Sequence, residues 1–269
     1  MAKLSAPKVL LEKRGALAYV TLNRPEVHNC IDAGMSAELL AAWDEIKRDR
    51  QIRCAILTGA GERAFSSGAD LTELIPAIRA ASEEDNRLRA FEGPGWGGIS
   101  GGYRIHTPII AAINGYCIAG GHELAEFCDI RIAAEHATFG HQEIRWGLMP
   151  GDGGCSRLAR IVGLGRAMEI ILTGTLYDAR EAYRIGFVNH VVPLAGLMAK
   201  ATELAETIAG NGPLATRAAK QAVLHGLGRP LDEGIAFETD AFSYLCRSED
   251  WLAGQQAFLA RTKPVFRGK

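Results

Sequence analysis

Two short apolar runs, 9–12 and 16–22, flank Gly15 and predict a pair of strands. The second run alternates polar and apolar positions and closes at the turn signal Asn23-Arg24-Pro25. Helical spacing takes over at 36–50, where Leu39, Leu40, Trp43 and Ile46 share one face and charge occupies the other. The run 54–57 is apolar without alternation and is closed by Thr58-Gly59-Ala60-Gly61, the pattern of a strand covered on both faces. A similar buried strand is expected at 109–113, and 129–133 alternates like another. Between them, polar 82–89 predicts a mostly exposed helix and glycine-rich 91–102 a loop. From 168 onward the periodicity is helical: 168–172, 178–184, 197–209, 213–225, 231–246 and 250–261. Strands alternating with helices, then a helical block, imply a layered α/β fold, divided as a core over 1–195 and a helical region over 196–269.

Two stretches share one design, a buried strand running into a turn of small residues that opens a helix. The first runs through Phe65-Ser66-Ser67-Gly68-Ala69-Asp70, the second through Ala119-Gly120-Gly121-His122-Glu123. Small residues admit another atom close to the backbone, and N–H groups at a helix start lack intrahelical partners. Two such groups converging on one oxygen form an oxyanion hole; packing alone also calls for tight turns of this kind. The second stretch continues to a further acid, Glu143.

Composition narrows the field. Of 269 residues 48% are hydrophobic and 23% charged, an ordinary globular profile. Lys and Arg number 30 against 31 Asp and Glu, a balance that offers no footprint for nucleic acid or an anionic membrane. Six scattered cysteines without a CxxC pair read as reduced thiols. With no signal-like start and no run approaching the ~20 apolar residues that cross a bilayer, the cytoplasm is the expected compartment. Three motif matches carry no weight. Gly93-x-Gly95-x-x-Gly98 lacks the preceding strand of a dinucleotide site, and Gly98-x-Ser100-x-Gly102 lacks the strand of a nucleophile elbow. His122-Glu123-Leu124-Ala125-Glu126 has a glutamate where a zinc helix needs its second histidine, so no metal is expected.

Four ordered segments carry a resemblance to the crotonase (enoyl-CoA hydratase/isomerase) superfamily. They are AFSSGADL (64–71), the long stretch from Asn114 to a PGxGG turn at Pro150 and on to Gly163, LTGTLYDAREAYRIGFVNHVV (172–192) and SEDWLAGQQAFLARTKPVF (248–266). They span nearly the whole chain, least clearly 76–104. The resemblance implies a spiral of ββα units followed by a helical trimerisation region, as a homotrimer or a dimer of trimers. It implies acyl-CoA thioesters as substrates, with coenzyme A entering as part of the substrate and no separate cofactor. By the same resemblance the N–H groups of Ala69 and Gly120 hold the thioester oxygen. Glu123 activates the water and Glu143 delivers the α-proton, the two titrating as a coupled pair. Ala64, Gly68, Asp70, Leu71 and Gly121 fall in segments that receive the substrate, and Arg24 and His28 near the CoA phosphates. Phe258 and Arg261 fall where the chain reaches the CoA of a neighbouring subunit. Both glutamates together imply syn hydration of a 2-enoyl-CoA.

This chain also departs from the family pattern, with His122 and His141 near the acids and Asp152 inside the PGxGG turn. Each histidine reads either as a packed neutral ring or as a group tuning a glutamate. Asp152 leaves open a related CoA-linked hydrolase or dehydratase; an enoyl-CoA isomerase is the other alternative, against which the presence of both acids speaks.

Overall fold

A computed structural model describes residues 6–85, 87, 94–99 and 104–269. The first two apolar runs form β1 (Val9–Arg14) and β2 (Leu17–Leu22), an antiparallel pair. From β2 outward the main sheet is parallel, through β3 (Cys54–Gly59), β5 (Ile109–Ile113), β7 (Ile130–Ala134) and β10 (His190–Val192). Every residue of β5 is buried, which is why its sequence is apolar without alternation. Three strands of this sheet each hand the chain to a short strand of a second one: β3 to β4 (Ala64–Ser66), β5 to β6 (Tyr116–Ile118) and β7 to β8 (Thr138–Gly140). The second sheet is completed by β9 (Tyr177–Asp178). Helix α2 (Leu71–Ala80) follows β4 and α3 (Gly120–Phe127) follows β6, so two strands and a helix make each turn of a spiral.

The main core lies inside the spiral, where Trp43, Phe65, Phe139 and Phe187 are fully buried. Helix α1 (Ala33–Arg48) begins three residues before the expected 36 because Asp32 caps it, accepting the Met35 N–H at 2.7 Å. Its buried face carries Met35, Leu39, Trp43 and Ile46, and Leu40 is only partly buried. The other face of the main sheet is covered by α7 (Leu197–Gly210), which follows α4 (Gly154–Val162), α5 (Leu164–Thr173) and α6 (Ala179–Arg184). Leu197, Ala201, Ala205 and Ala209, four residues apart, line its buried stripe against Ile56, Ile110 and Ile132. Chain beyond the expected 195/196 division thus helps to bury the sheet. Helices α8 (Pro213–Gly226), α9 (Leu231–Leu245) and α10 (Glu249–Ala260) follow, with Leu231, Phe242, Tyr244, Phe258 and Leu259 exposed. No helix among the described residues is long and apolar enough to cross a membrane.

Asn114 ties the layers together from a buried position at the end of β5. Its Nδ2 donates to the carbonyls of Gly59, Gly61 and Ala64 at 2.9, 2.7 and 3.1 Å, and its Oδ1 accepts the Gly59 N–H at 3.2 Å. Asn114→Ala strands several of these buried backbone groups and is expected to cost about 2–4 kcal/mol. A urea unfolding midpoint equal to that of the parent chain would show that this link contributes nothing.

The strands β4, β6, β8, β9 and β10 are absent from the sequence reading, because two or three residues carry no usable periodicity. The expected helix over 82–89 and loop over 91–102 lie partly outside the described residues, as do Gly93, Ser100 and Gly102 of the two glycine motifs. Within that loop, Trp96–Gly98 forms a single 3-10 turn.

Candidate active site

Two turns of the spiral meet where the small-residue segments lie. After β4, Gly68 takes φ +91°, a value that an L side chain strains to adopt. A Cβ placed on it would stand 2.7 Å from the Gly120 nitrogen and 3.1 Å from the Ala119 Cβ. After β6, Ala119 itself is held at φ 51°, ψ −127°, with its N–H on the Gly140 carbonyl at 2.9 Å. Such backbone costs about 1–3 kcal/mol and persists because the surrounding turns fix it. The result is that Gly120 opens α3 beside Gly68 and Ala69. Neither the Ala69 nor the Gly120 N–H has a hydrogen-bond partner among the described residues. Gly121 packs still closer, since a Cβ there would fall 2.2 Å from the Ser66 carbonyl oxygen.

Glu123 lies on the first turn of α3 and is 3% exposed. Its Oε1 accepts the N–H groups of Asp152 and Gly154 at 2.7 and 2.8 Å, whereas Oε2 takes no hydrogen bond among the described residues. Burial pushes the carboxyl up to about 7, with the Asp152 charge adding, against the pull of those two N–H donors. Glu143 opens a 3-10 turn, Glu143–Trp146, that follows β8. The acids approach one His141 from two sides. A Cβ on Gly154 would lie 3.0 Å from Glu123 Cγ and 2.7 Å from His141 Cε1, and His141 Nδ1 stands 3.5 Å from Glu143 Oε1. Glu143 Oε2 is buried without a hydrogen-bond partner among the described residues.

Behind these acids runs a buried polar chain. Glu126 Oε1 accepts from His122 Nδ1 at 2.7 Å and from His141 Nε2 at 2.8 Å. Burial pushes Glu126 up, but the two imidazole hydrogen bonds outweigh it and leave the carboxyl below its ordinary range. An ionised carboxylate only accepts, so His122 must carry its proton on Nδ1, and its Nε2 receives the Tyr177 hydroxyl at 2.6 Å. His122 stacks on Phe187 at 4.2 Å between ring centroids, and burial drives it down to about 4, a neutral ring. His141 goes the other way. Burial opposes its charge, yet Glu126 and Glu143 raise it to about 9. One of the two histidines is thus a packed neutral ring and the other a cation. The donor atoms of His122, Glu126 and His141 lie within 4.8 Å of one another. Each imidazole sets one nitrogen on the same Glu126 oxygen, at 2.7 and 2.8 Å, the arrangement of a hydrogen-bonded network.

The enoyl-CoA hydratase/isomerase family model matches residues 12–269. The chain belongs to the enoyl-CoA hydratase/isomerase family. It is 38% identical to the short-chain-enoyl-CoA hydratase of Clostridium acetobutylicum over 95% of each chain. It is 39% identical to the (E)-benzylidenesuccinyl-CoA hydratase of Thauera aromatica, over 97% of this chain and 99% of that one. The crystal structure of enoyl-CoA hydratase from Bacillus anthracis superposes with a TM-score of 0.88 at 37% identity, covering 97% of this chain and all of that one.

Other positions that the family resemblance singles out fall as follows. Arg24 is largely buried and committed: its guanidinium reaches Asp70 Oδ2 at 3.2 Å, Asp32 Oδ2 at 3.0 Å and the Cys30 carbonyl at 2.9 Å. It braces the Gly68–Asp70 turn rather than presenting a solvated charge. Asp70 in turn caps α2 through Thr72, and Leu71 is exposed at the start of that helix. The Ala64 carbonyl is taken by the side-chain amides of Asn29 and Asn114. His28 adopts a left-handed backbone at φ 56° and sets its ring edge against Tyr116. Phe258 and Arg261 lie exposed at the end of α10.

Asp152 serves the site through its backbone as well as its carboxyl, whose charge raises Glu123. Its N–H holds Glu123, while its Oδ1 accepts the Trp96 N–H at 3.2 Å. Arg157 closes the same corner, donating to the Asp152 carbonyl at 2.7 Å and to the Ile99 carbonyl. Glu126, Tyr177 and Arg157 were missed by sequence reasoning, whereas Trp96 falls in the glycine-rich loop where the family resemblance puts the variable wall of the acyl pocket. The one available signal was the unusual Glu126, an acid on the face of α3 that faces the core.

Proposed function

We propose that this family member hydrates the double bond of a 2-enoyl-CoA thioester to give a 3-hydroxyacyl-CoA. The observation that carries it is that His141 stands 3.5 Å from Glu143 and borders Glu123 at Gly154, while the Ala69 and Gly120 N–H groups, on two adjoining turns, have no partner among the described residues. In this reading Glu123 takes a proton from water as its oxygen bonds to the β-carbon. Glu143 gives a proton to the α-carbon on the same face, and exchange with solvent restores both carboxyls. Negative charge developing on the thioester oxygen is stabilised by the N–H groups of Ala69 and Gly120 acting as an oxyanion hole. A carboxyl held near 7 suits a base that works at neutral pH.

Near-equal identity to hydratases named for a short-chain and for an aryl-substituted substrate points to the pocket wall, not the catalytic turns, as what selects the acyl group. Trp96, fixed by Asp152, belongs to that wall. Coenzyme A arrives as part of the substrate. The exposed apolar residues of α9 and α10 support assembly as a homotrimer or a dimer of trimers, in which Phe258 and Arg261 reach a neighbour's CoA. Six free cysteines suit the reducing cytoplasm.

The test is a panel of crotonyl-CoA, longer, branched and aryl-substituted 2-enoyl-CoAs. Loss of enoyl absorbance with a product heavier by one water is expected for at least one. A panel that is bound but not turned over would leave a binding protein, and double-bond migration without water uptake would make it an isomerase.

A further inference from the structure

We propose that His141 is the positioning residue of Glu143: clamped by the buried Glu126 carboxylate, its imidazole presents a cationic Nδ1–H to Glu143 Oε1 and fixes the carboxyl that serves the α-carbon. The proposal rests on the hydratase reading above and deepens it.

Glu143 stands on a single 3-10 turn, an element too short to lock a side chain with three free torsions. Among the described residues, His141 is the only basic side chain within 4 Å of its carboxyl, Nδ1 to Oε1 at 3.5 Å, a charge contact that is not closed as a hydrogen bond. His141, by contrast, cannot turn. It is fully buried, its Nε2 is bound to Glu126 at 2.8 Å, and its ring lies 4.4 Å from that of His122. Glu126 is held in turn by His122, and His122 by Tyr177. The chain of donors therefore runs from two directions onto one carboxylate, and the cation it stabilises faces the catalytic acid. Burying an ion pair of this kind adds little net stability, because desolvation offsets the attraction. A role in orienting Glu143 gives the arrangement a reason that packing does not.

The acids acting on this ring are Glu126 and Glu143, with Glu123 nearby on α3. His122 faces it as a neutral ring. Arg131 on β7 and Arg157 on α4 also feel the Glu126 charge. His141 is raised to about 9, so the cation is present at neutral pH and is lost as pH rises through that value.

The experiment is the pH profile of kcat and KM on the best enoyl-CoA of the panel, for the parent chain, Glu126→Gln and His141→Gln. The parent is expected to lose kcat above about pH 9. Glu126→Gln keeps the shape and both acceptor contacts but removes the charge, and should move that alkaline limb down by about one unit or more. His141→Gln should abolish the limb and lower kcat about 10- to 100-fold with KM nearly unchanged, the signature of a misplaced carboxyl. An alkaline limb at the parent position in Glu126→Gln overturns the proposal, as does full kcat in His141→Gln. So does a stoichiometric divalent metal in the purified protein whose chelation removes activity. A ring titration of His141 by NMR, in the parent and in Glu126→Gln, decides the network even if His141→Gln misfolds or no enoyl-CoA is hydrated. Protonation at pH 8 in the parent and its loss in the variant are expected, and a neutral parent ring overturns the proposal. Absence of turnover across the panel, with the ring charged, fails the hydratase reading alone.

Discussion

Glu123→Gln is expected to lower kcat for hydration by about 10³-fold, within the 10²–10⁴-fold range of a lost acid or base. The substitution is a clean one. Glutamine keeps the Oε1 that accepts the Asp152 and Gly154 N–H groups at 2.7 and 2.8 Å, so the Pro150–Gly154 turn should stay in place. Only the group that takes the proton is removed, so KM and thermal stability should change little. The pH dependence gives a second reading of the same residue. Burial raises Glu123 to about 7, so it is protonated and inactive as a base below that value. In the parent chain kcat/KM should therefore rise with pH through about 7, and the rise should vanish in Glu123→Gln. Glu143→Gln is expected to lose a comparable factor without losing this acid limb. Hydration at the parent rate by either variant would remove that glutamate from the mechanism.

The strands that hold the site were legible because their physics is one-dimensional. Ile109–Ile113 is covered on both faces, and five apolar residues in a row say so. The helices from α7 onward are long enough for a stripe such as Leu197, Ala201, Ala205 and Ala209 to repeat. The two small-residue turns were visible as composition, but their meeting was not. It depends on successive turns of the spiral stacking Gly68 against Gly120, a contact that leaves no spacing in the chain. The His122–Glu126–His141 network was obscured for the same reason. The sequence HELAE looks like a metal helix that lacks its second histidine, while the second imidazole arrives from the end of β8 and the hydroxyl from Tyr177 on β9. Arg24 shows the limit in reverse. The family resemblance puts this arginine near the CoA phosphates, and only the fold reveals its ion pairs with Asp32 and Asp70.

Gly68→Ala is expected to lower kcat/KM by about 10²–10³-fold, the loss associated with one oxyanion donor, ~2.7–4 kcal/mol. The cause is geometric. The new Cβ would stand 2.7 Å from the Gly120 nitrogen, 3.1 Å from the Ala119 Cβ and 3.3 Å from the Ile118 carbonyl, none of them the end of a flexible side chain. The two turns must part, and the N–H groups of Ala69 and Gly120 then no longer aim at one oxygen. Stability should fall as well, because alanine is strained at φ +91°. Gly186→Ala separates the two effects. It places the same strain at φ +78° with nothing within 4 Å, so it should lower the melting temperature and leave kcat/KM alone. The acid limb set by Glu123 should survive in Gly68→Ala, since that carboxyl is held from the Pro150–Gly154 turn rather than from Gly68. A folded Gly68→Ala protein with the parent kcat/KM would mean that the converging N–H groups take no part in the reaction. A loss confined to kcat/KM, with that limb in place, assigns them to the charge that develops on the thioester oxygen.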